Sequence, residues 1–511
     1  MKNLLSYTLK RFLIIWIILF AAGTMLTFRG ISHESLWYDE SYTAAMTNHT
    51  VAEIVRMSAG DYHPPLFYVM ARMFRIVFGN SEFALRTLSA LGLLALAALS
   101  LGPVRRIFGK LNALIFTVLV FVTPVCISTA QDARMYTWAC LFVTAGVLYG
   151  YLAVTEGKRS DWLLLGLYTV LAVYTHFYAL LEMVVLYGLL VLWGIFGHRK
   201  AVKRMLITSV IVGAACLPWV WVLAGQAAKV SKEFWVPSPN ALFFFGTFIY
   251  PFGDKFSIMA FLPFILLSIL AALILTGKAV CQGIRRFSDE GKAILLMCLV
   301  LLLTVVATLV ISFMVKPIFY PRYFFTVLGL YLLVVMYGIG ALQSFGAKVA
   351  VCAALAVFAF PQLSHTCFNR VNGPMFEAVR YLQDKVQPGD MFLHNCEQPF
   401  GTFIYYFPQH RHYLNLPEGF EGYADYAPFR PNGTTGHDYR AFVRGKTRVW
   451  LVNRRGLKWV KFRVIPESAL TQMGFRKDMA ATLFQMKPAW YQFTVTGFIN
   501  MPEMPPADAK R

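Results

Sequence analysis

The sequence predicts a mainly α, polytopic membrane protein with a small α/β domain at its C-terminal end. Three observations carry that prediction. Of 511 residues, 58% are hydrophobic and 14% charged, with mean hydropathy +0.56, too apolar for a water-solvated globule of this size. Apolar stretches of roughly 15 to 20 residues recur from Phe12 to Phe360, about the length a helix needs to cross hydrocarbon, where helices satisfy their own backbone. After Pro361 the texture changes to about 150 residues of mixed polar and aromatic sequence. The chain therefore divides at 1–361 and 362–511.

The net charge of +21 does not point to nucleic acid, because Lys and Arg gather in short connections between spans, where membrane orientation places them. On that bias Lys2 to Arg11 is cytoplasmic, and Phe12 to Phe28 is an uncleaved first span rather than a leader. The loop after it is outside, with Ser41 to Met57 and Leu66 to Phe78 as helices along the interface. Further spans are expected at about Ala84 to Leu101, up to Val125, from Tyr136 down to Glu156, Trp162 to Tyr174, Ala179 to Phe196 and up to Ala224. After an aromatic outer loop, Gln226 to Lys255, an eighth span leads to the basic loop Lys278 to Lys292. A ninth reaches Lys316 and two more end near Gln362, about eleven in all.

The eight cysteines show no CxxC spacing and suit small core positions; Cys367 and Cys396 are left as candidates for a disulfide outside the cytoplasm. In the last domain, helix-like Met375 to Val386 precedes strand-like Met391 to Leu393, and Arg448 to Val452 reads as a later strand, a small α/β pattern.

Chemistry is expected where ionisable groups collect on the outer side. The first outer loop holds Asp39, Glu40, Asp61 and His63; the second Asp132, Arg134 and Tyr136; a third His176; another Lys316, Arg322 and Tyr323. Charges at the edge of hydrocarbon need partners or water, so their convergence implies a polar cavity. A carboxylate can take a proton from an incoming hydroxyl, and Arg or Lys can hold a departing phosphate. That inventory suits moving a group from a lipid phosphate to an acceptor outside. Each residue also has a plainer reading: Asp39 and Glu40 as a helix cap, Pro64-Pro65 as a helix breaker, Arg134 as a headgroup anchor, His176 as a structural residue. A transporter or flippase of lipid-linked sugars is the alternative, but it predicts charges near the midplane and repeat symmetry, and the sequence has no internal repeat.

The segments Ser35-Leu36-Trp37-Tyr38-Asp39-Glu40, His63-Pro64-Pro65-Leu66-Phe67-Tyr68, Phe78 to Arg86, Ala133-Arg134-Met135-Tyr136 and Pro321-Arg322-Tyr323 together resemble the polytopic GT-C glycosyltransferases related to protein O-mannosyltransferases and the lipid A aminoarabinose transferase. The resemblance implies a polyprenyl-phosphate sugar donor, inverting transfer to a lipid, glycan or protein, and a site on the periplasmic or extracellular face of a bacterial plasma membrane. Asp39 falls on the catalytic carboxylate with Glu40 beside it, Arg134 and Arg322 on phosphate clamps with Lys316, and Asp61, His63, Asp132, Tyr136, His176 and Tyr323 on the surrounding loops. No cofactor is required by it; a divalent metal at Asp61 and His63 is left open, because His63 stands where the aminoarabinose transferase has Lys.

Overall fold

The computed structural model describes residues 2–61, 63–230, 287–368, 375–420, 425–455, 462–485 and 492–500, with scattered positions from 236 to 277. Most of the outer loop Gln226 to Lys255, the eighth span and the basic loop up to Arg286 lie outside the described residues. The chain forms two compact units. The first comprises Met1–Ile31, Tyr62–Met70 and Phe83–Asn369, and the second Ser32–Asp61, Ala71–Glu82 and Arg370–Arg511.

The first unit is helical: α1 (Lys2–Phe28), α5 (Glu82–Ala98), α6 (Pro103–Val122), α7 (Pro124–Ala130), α8 (Tyr136–Glu156), α9 (Arg159–Val173), α10 (Phe177–Gly197), α11 (Arg199–Val230), α12 (Asp289–Met314), a 3-10 turn (Pro321–Val327), α13 (Leu328–Gly340) and α14 (Phe345–Phe368). Among the described residues eight helices are long and apolar enough to cross a membrane, nine if the pair α6–α7, bent by 64°, counts as one span. The 15 residues of α9 fall short of a full crossing. α8 is the central helix, buried over 89% of its apolar window, whereas α11 and α14 are buried over 17% and face outward. Gly109 breaks α6 with φ of 81°, a conformation open to glycine at little cost, and Gly157 ends α8 in the left-handed region (φ 70°), a common helix stop.

The loops read as cytoplasmic meet. Arg106 forms a two-pronged pair with Asp161, both contacts 2.8 Å, and reaches Glu156 at 2.9 Å. Asp161 is fully buried, so the planar fork supplies both hydrogen bonds that the carboxylate needs away from water.

In the second unit, the first outer loop forms α2 (Tyr38–Met46) and α3 (Val51–Gly60). The sequence predicts one helix over Ser41 to Met57; the chain instead stops at Thr47 and restarts, because Thr50 and Glu53 form a reciprocal cap, with Thr50 N donating to Glu53 Oε2 at 2.8 Å and Glu53 N to Thr50 Oγ1 at 3.3 Å. α4 (Leu66–Phe78) follows, its later part lying in this unit. The C-terminal segment contributes α15 (Met375–Gln383), β1 (Met391–His394), α16 (Glu397–Tyr406), β2 (Arg411–Asn415), β3 (Gly433–Gly436), α17 (Tyr439–Val443), β4 (Arg448–Arg455), α18 (Glu467–Thr471), β5 (Phe475–Gln485) and β6 (Gln492–Asn500). These strands make one sheet in the order β3-β2-β1-β4-β6-β5. β3, β2, β1 and β4 run parallel, and β6 and β5 are antiparallel additions. Alternate residues go to opposite faces: Phe392, Trp450 and Val495 pack with α15 and Phe403, while Leu393, Leu451 and Phe498 pack with Val443 and Leu470.

Tyr406 ties the first loop to this domain: its hydroxyl donates to Glu82 Oε1 at 2.7 Å and accepts from Leu36 N at 2.9 Å. Thr402 adds a bond to Leu36 O at 3.2 Å, and Ser41 lies against Gly401, where a β-carbon would come within 2.6 Å of its hydroxyl. Cys367 and Cys396 are both free thiols.

The sheet core holds neutral histidines. His412 Nε2 lies 3.1 Å from Phe407 O; a carbonyl only accepts, so that nitrogen carries the hydrogen and His412 Nδ1 accepts from His394 Nε2 at 3.2 Å. His394 Nδ1 is buried with no partner among the described residues. Burial holds His412 down at about 3 and His394 well below the ordinary value. Because the folded values are depressed, the folded state binds fewer protons than the unfolded chain, and stability is lost as pH falls below about 6.5. His412 alone predicts a loss on the order of 2 kcal/mol between about pH 6.5 and 5. Hydrogen exchange of β1 and β2 should accelerate over that range in the full chain in detergent; unchanged protection contradicts the assignment.

Candidate functional site

The residues singled out in the sequence divide between the two units. In the second, Asp39 and Glu40 occupy the first turn of α2. Glu40 is fully buried and its Oε2 accepts from Trp37 N at 3.3 Å, a helix-capping contact. Asp39 is partly exposed. Asp61 is buried and ends α3, its N–H donating to Met57 O at 3.0 Å.

The sequence reading missed a second carboxyl near Asp39. Glu397 opens α16, directly after parallel strand β1, and its Oε2 accepts from Tyr426 Oη at 2.8 Å. Tyr38 and Tyr42 lie over Phe429, with centroids 6.1 and 5.8 Å away, and Phe400 bridges Phe429 and Tyr426. Burial raises Glu397 to about 7, with the negative charge of Asp39 pushing the same way and Tyr426 and Arg454 opposing. Tyr38 is held neutral by burial and by Glu397. The position was legible in principle, since the carboxyl end of a parallel strand is where α/β domains place functional groups.

In the first unit four chain segments meet. Arg134, 3% exposed, points one arm of its fork at Tyr68 Oη (3.4 Å) and the other at His63 Nε2 (3.2 Å). Guanidinium only donates, so His63 Nε2 accepts and the hydrogen of the neutral ring lies on Nδ1. The Arg134 backbone is fixed as well: its carbonyl accepts from Ser89 Oγ at 2.8 Å and its N–H donates to Asp132 O at 2.6 Å. Leu66 N donates to Tyr174 O at 3.0 Å, joining the Pro-Pro segment to the turn that carries His176.

His176, buried, caps α10 through Nδ1, which accepts from Tyr178 N at 3.2 Å, and its ring is the hub of the cluster. Tyr136 lies at 5.5 Å, Tyr323 at 5.6 Å, Tyr178 at 5.9 Å and His63 at 6.3 Å between centroids. Burial, then His63 and Arg134, push its pKa well below the ordinary value, so it is neutral with its hydrogen on Nε2. Tyr178 Oη donates to Ile318 O at 2.5 Å, anchoring the segment that bears Lys316, Arg322 and Tyr323, all partly exposed. His63, Arg134, Tyr136, His176 and Tyr323 are thus brought together; Tyr68, Tyr178 and Tyr320, the last 5.6 Å from Tyr323 between centroids, join them without having been foreseen, as aromatic residues among many.

The residues do not fit a metal at His63. Its Nε2 lone pair is engaged by a cation, and among the described residues no group of three or more His, Cys, Asp or Glu side chains gathers as a metal site would.

Residues 62–221 match the family model described as dolichyl-phosphate-mannose-protein mannosyltransferase. No curated protein sequence matches the chain. Among solved structures, ArnT from Cupriavidus metallidurans in the apo state superposes with TM-score 0.63 at 13% identity, covering 94% of this chain and 97% of that one. The same protein bound to undecaprenyl phosphate gives 0.60 at 14%, covering 94% and 98%.

Two expectations follow for Glu397. Its carboxylic-acid infrared band should vanish on raising pH through about 7 and be missing in Glu397→Gln. Tyr426→Phe, which removes the hydrogen bond that favours the anion, should move that transition upward; an unmoved transition contradicts the pairing.

Among its described residues the chain thus has eight helices long and apolar enough to cross a membrane, the overall fold of ArnT, and, over residues 62–221, a match to the mannosyltransferase family model.

Proposed function

We propose that the protein is a membrane glycosyltransferase that takes a sugar, hexose or pentose, from a polyprenyl-phosphate donor and passes it to a lipid, glycan or protein acceptor of the cell envelope. The observation that carries this reading is Arg134: a guanidinium held at 3% exposure by Tyr68 and His63, amid outer-side loops of an ArnT-like helical fold. A buried fork of donors suits a phosphate. The charge bias of the connections supports chemistry on the outer, periplasmic or extracellular, face, and the likeness to ArnT from Cupriavidus metallidurans supports a bacterial plasma membrane. Residues 1–361 are assigned the transfer chemistry and 362–511 recognition of the acceptor.

In the proposed step, an acceptor oxygen forms a bond to the anomeric carbon as the bond from that carbon to the phosphate oxygen breaks, with inversion. Asp39 takes the acceptor proton. The phosphate leaves with the electron pair, its charge met by Arg134 and Arg322, with Lys316 assisting. His176, Tyr136 and Tyr323 shape the surroundings of the cations. His63 serves as acceptor for Arg134, setting the direction of its fork.

Purified protein incubated with labelled polyprenyl-phosphate sugars and a membrane extract should transfer label to an envelope component. Asp39→Asn should abolish transfer while leaving undecaprenyl phosphate binding within about twofold; full transfer by this variant sinks the assignment. Arg134→Ala should weaken that binding by about 10- to 100-fold, the scale of one or two lost charge-assisted hydrogen bonds, and Arg134→Lys should recover only part of it, because the ammonium lacks the fork.

A further inference from the structure

A buried acid inside a membrane-length helix has no part in the chemistry above. Glu182 lies on α10 one turn beyond Tyr178, is 0% exposed, and forms no ion pair among the described residues. Carboxyls buried at membrane depth are costly and are kept where they have work to do. Glu182 Oε1 is hydrogen-bonded to Thr326 Oγ1, while Oε2 has no partner among the described residues. Thr326, also fully buried, lies in the 3-10 turn Pro321–Val327, four residues after Arg322, and its Oγ1 donates to Tyr323 O at 2.9 Å.

The hydrogens can be counted. Thr326 has one hydroxyl hydrogen, and Tyr323 O, a carbonyl, can only accept it. With that hydrogen on Tyr323 O, the bond between Thr326 Oγ1 and Glu182 is completed by a hydrogen on the carboxyl; with it on Glu182, the carboxyl accepts. A carboxylate there would be left with an unmatched charge in an apolar interior, whereas the neutral acid carries no charge and donates its one hydrogen to Thr326. The chain of bonds runs from the acid on α10 through Thr326 to the backbone of Tyr323, next to Arg322. The neighbouring stretch is pinned from the same side, by Tyr178 Oη on Ile318 O and by Ser312 Oγ, which accepts from Ile318 N at 3.0 Å and Phe319 N at 2.8 Å.

We propose that Glu182 is a positioning residue: as a neutral acid bonded to Thr326 it fixes the Pro321–Val327 turn, and through it Arg322, for a phosphate ligand. The proposal rests on the reading of Arg322 as a phosphate contact. It makes Glu182 sensitive to loss of hydrogen bonding but not to loss of charge.

Undecaprenyl phosphate binding to the full-length protein in detergent tests it, with thermal unfolding measured alongside. Glu182→Gln, neutral and able to donate, should bind within about threefold of wild type. Glu182→Leu and Thr326→Val should each weaken binding by about 10-fold, the range seen when the support of a ligand-holding group is removed. In an Arg322→Ala background, Glu182→Leu should add no further loss, whereas general loosening of the helices would weaken binding in both backgrounds. If Glu182→Leu does not fold, Thr326→Val decides. Wild-type affinity in Glu182→Leu or in Thr326→Val, while Arg322→Ala binds poorly, overturns the positioning role alone; Gln as damaging as Leu overturns the neutral-acid argument. Wild-type affinity in Arg322→Ala overturns the phosphate reading itself, and the proposal with it.

Discussion

A guanidinium taken out of water at the end of apolar helices must find acceptors in fixed places, and in the first unit that requirement organises the loops around it. Arg134 is 3% exposed, and two of its donors reach a phenol oxygen and an imidazole nitrogen. Holding those acceptors in place needs His63 on a rigid segment, which Pro64-Pro65 and the bond from Leu66 N to Tyr174 O provide. The 174–176 turn then carries His176 into contact with Tyr136 and Tyr323. One buried cation thereby brings segments far apart in sequence to a common place, and His176 beside it is kept neutral by burial, then by His63 and the cation.

The second unit obeys the same rule with opposite polarity. Three of its carboxyls are matched by backbone or phenols: Glu40 by Trp37 N, Glu397 by Tyr426, Glu82 by Tyr406. Two carboxyls in similar surroundings thus end in different states of use. Glu40 completes a helix cap, while Glu397, raised to about 7 by burial with Asp39 adding to the shift, can gain or lose a proton near neutrality.

Hydropathy made the large-scale organisation legible, because hydrocarbon admits only long apolar helices and the change of texture after Pro361 is abrupt. The loops that carry the candidate site were legible through their charges, and Arg134, Tyr136, His176 and Tyr323 do lie together. Breaks within helices were not. Gly109 reads as one glycine among many, and the restart at Thr50 was missed although Thr50-Val51-Ala52-Glu53 carries the capping pattern. Asp39 and Glu40, adjacent and alike in sequence, are separated only by what each touches, which no spacing encodes. Glu397 was hidden because its meaning depends on the end of a strand whose neighbours, β2 and β4, come later in the chain.

Glu182 was hidden for a different reason. Averaged over Phe177 to Gly197, one acid barely lowers the hydropathy of the window, so the method that finds the span erases its most informative residue. Yet a single carboxyl inside such a span has few physically acceptable arrangements: it faces protein, it is bonded, and without a cation it is protonated. Each condition points toward a neighbour that carries a hydroxyl, and Thr326 is that neighbour. The turn bearing Arg322 is therefore held from the helical interior by Ser312, Tyr178 and Glu182. A loop so anchored can present a cation at a fixed place at the edge of the hydrocarbon, where a flexible one would let it drift into water.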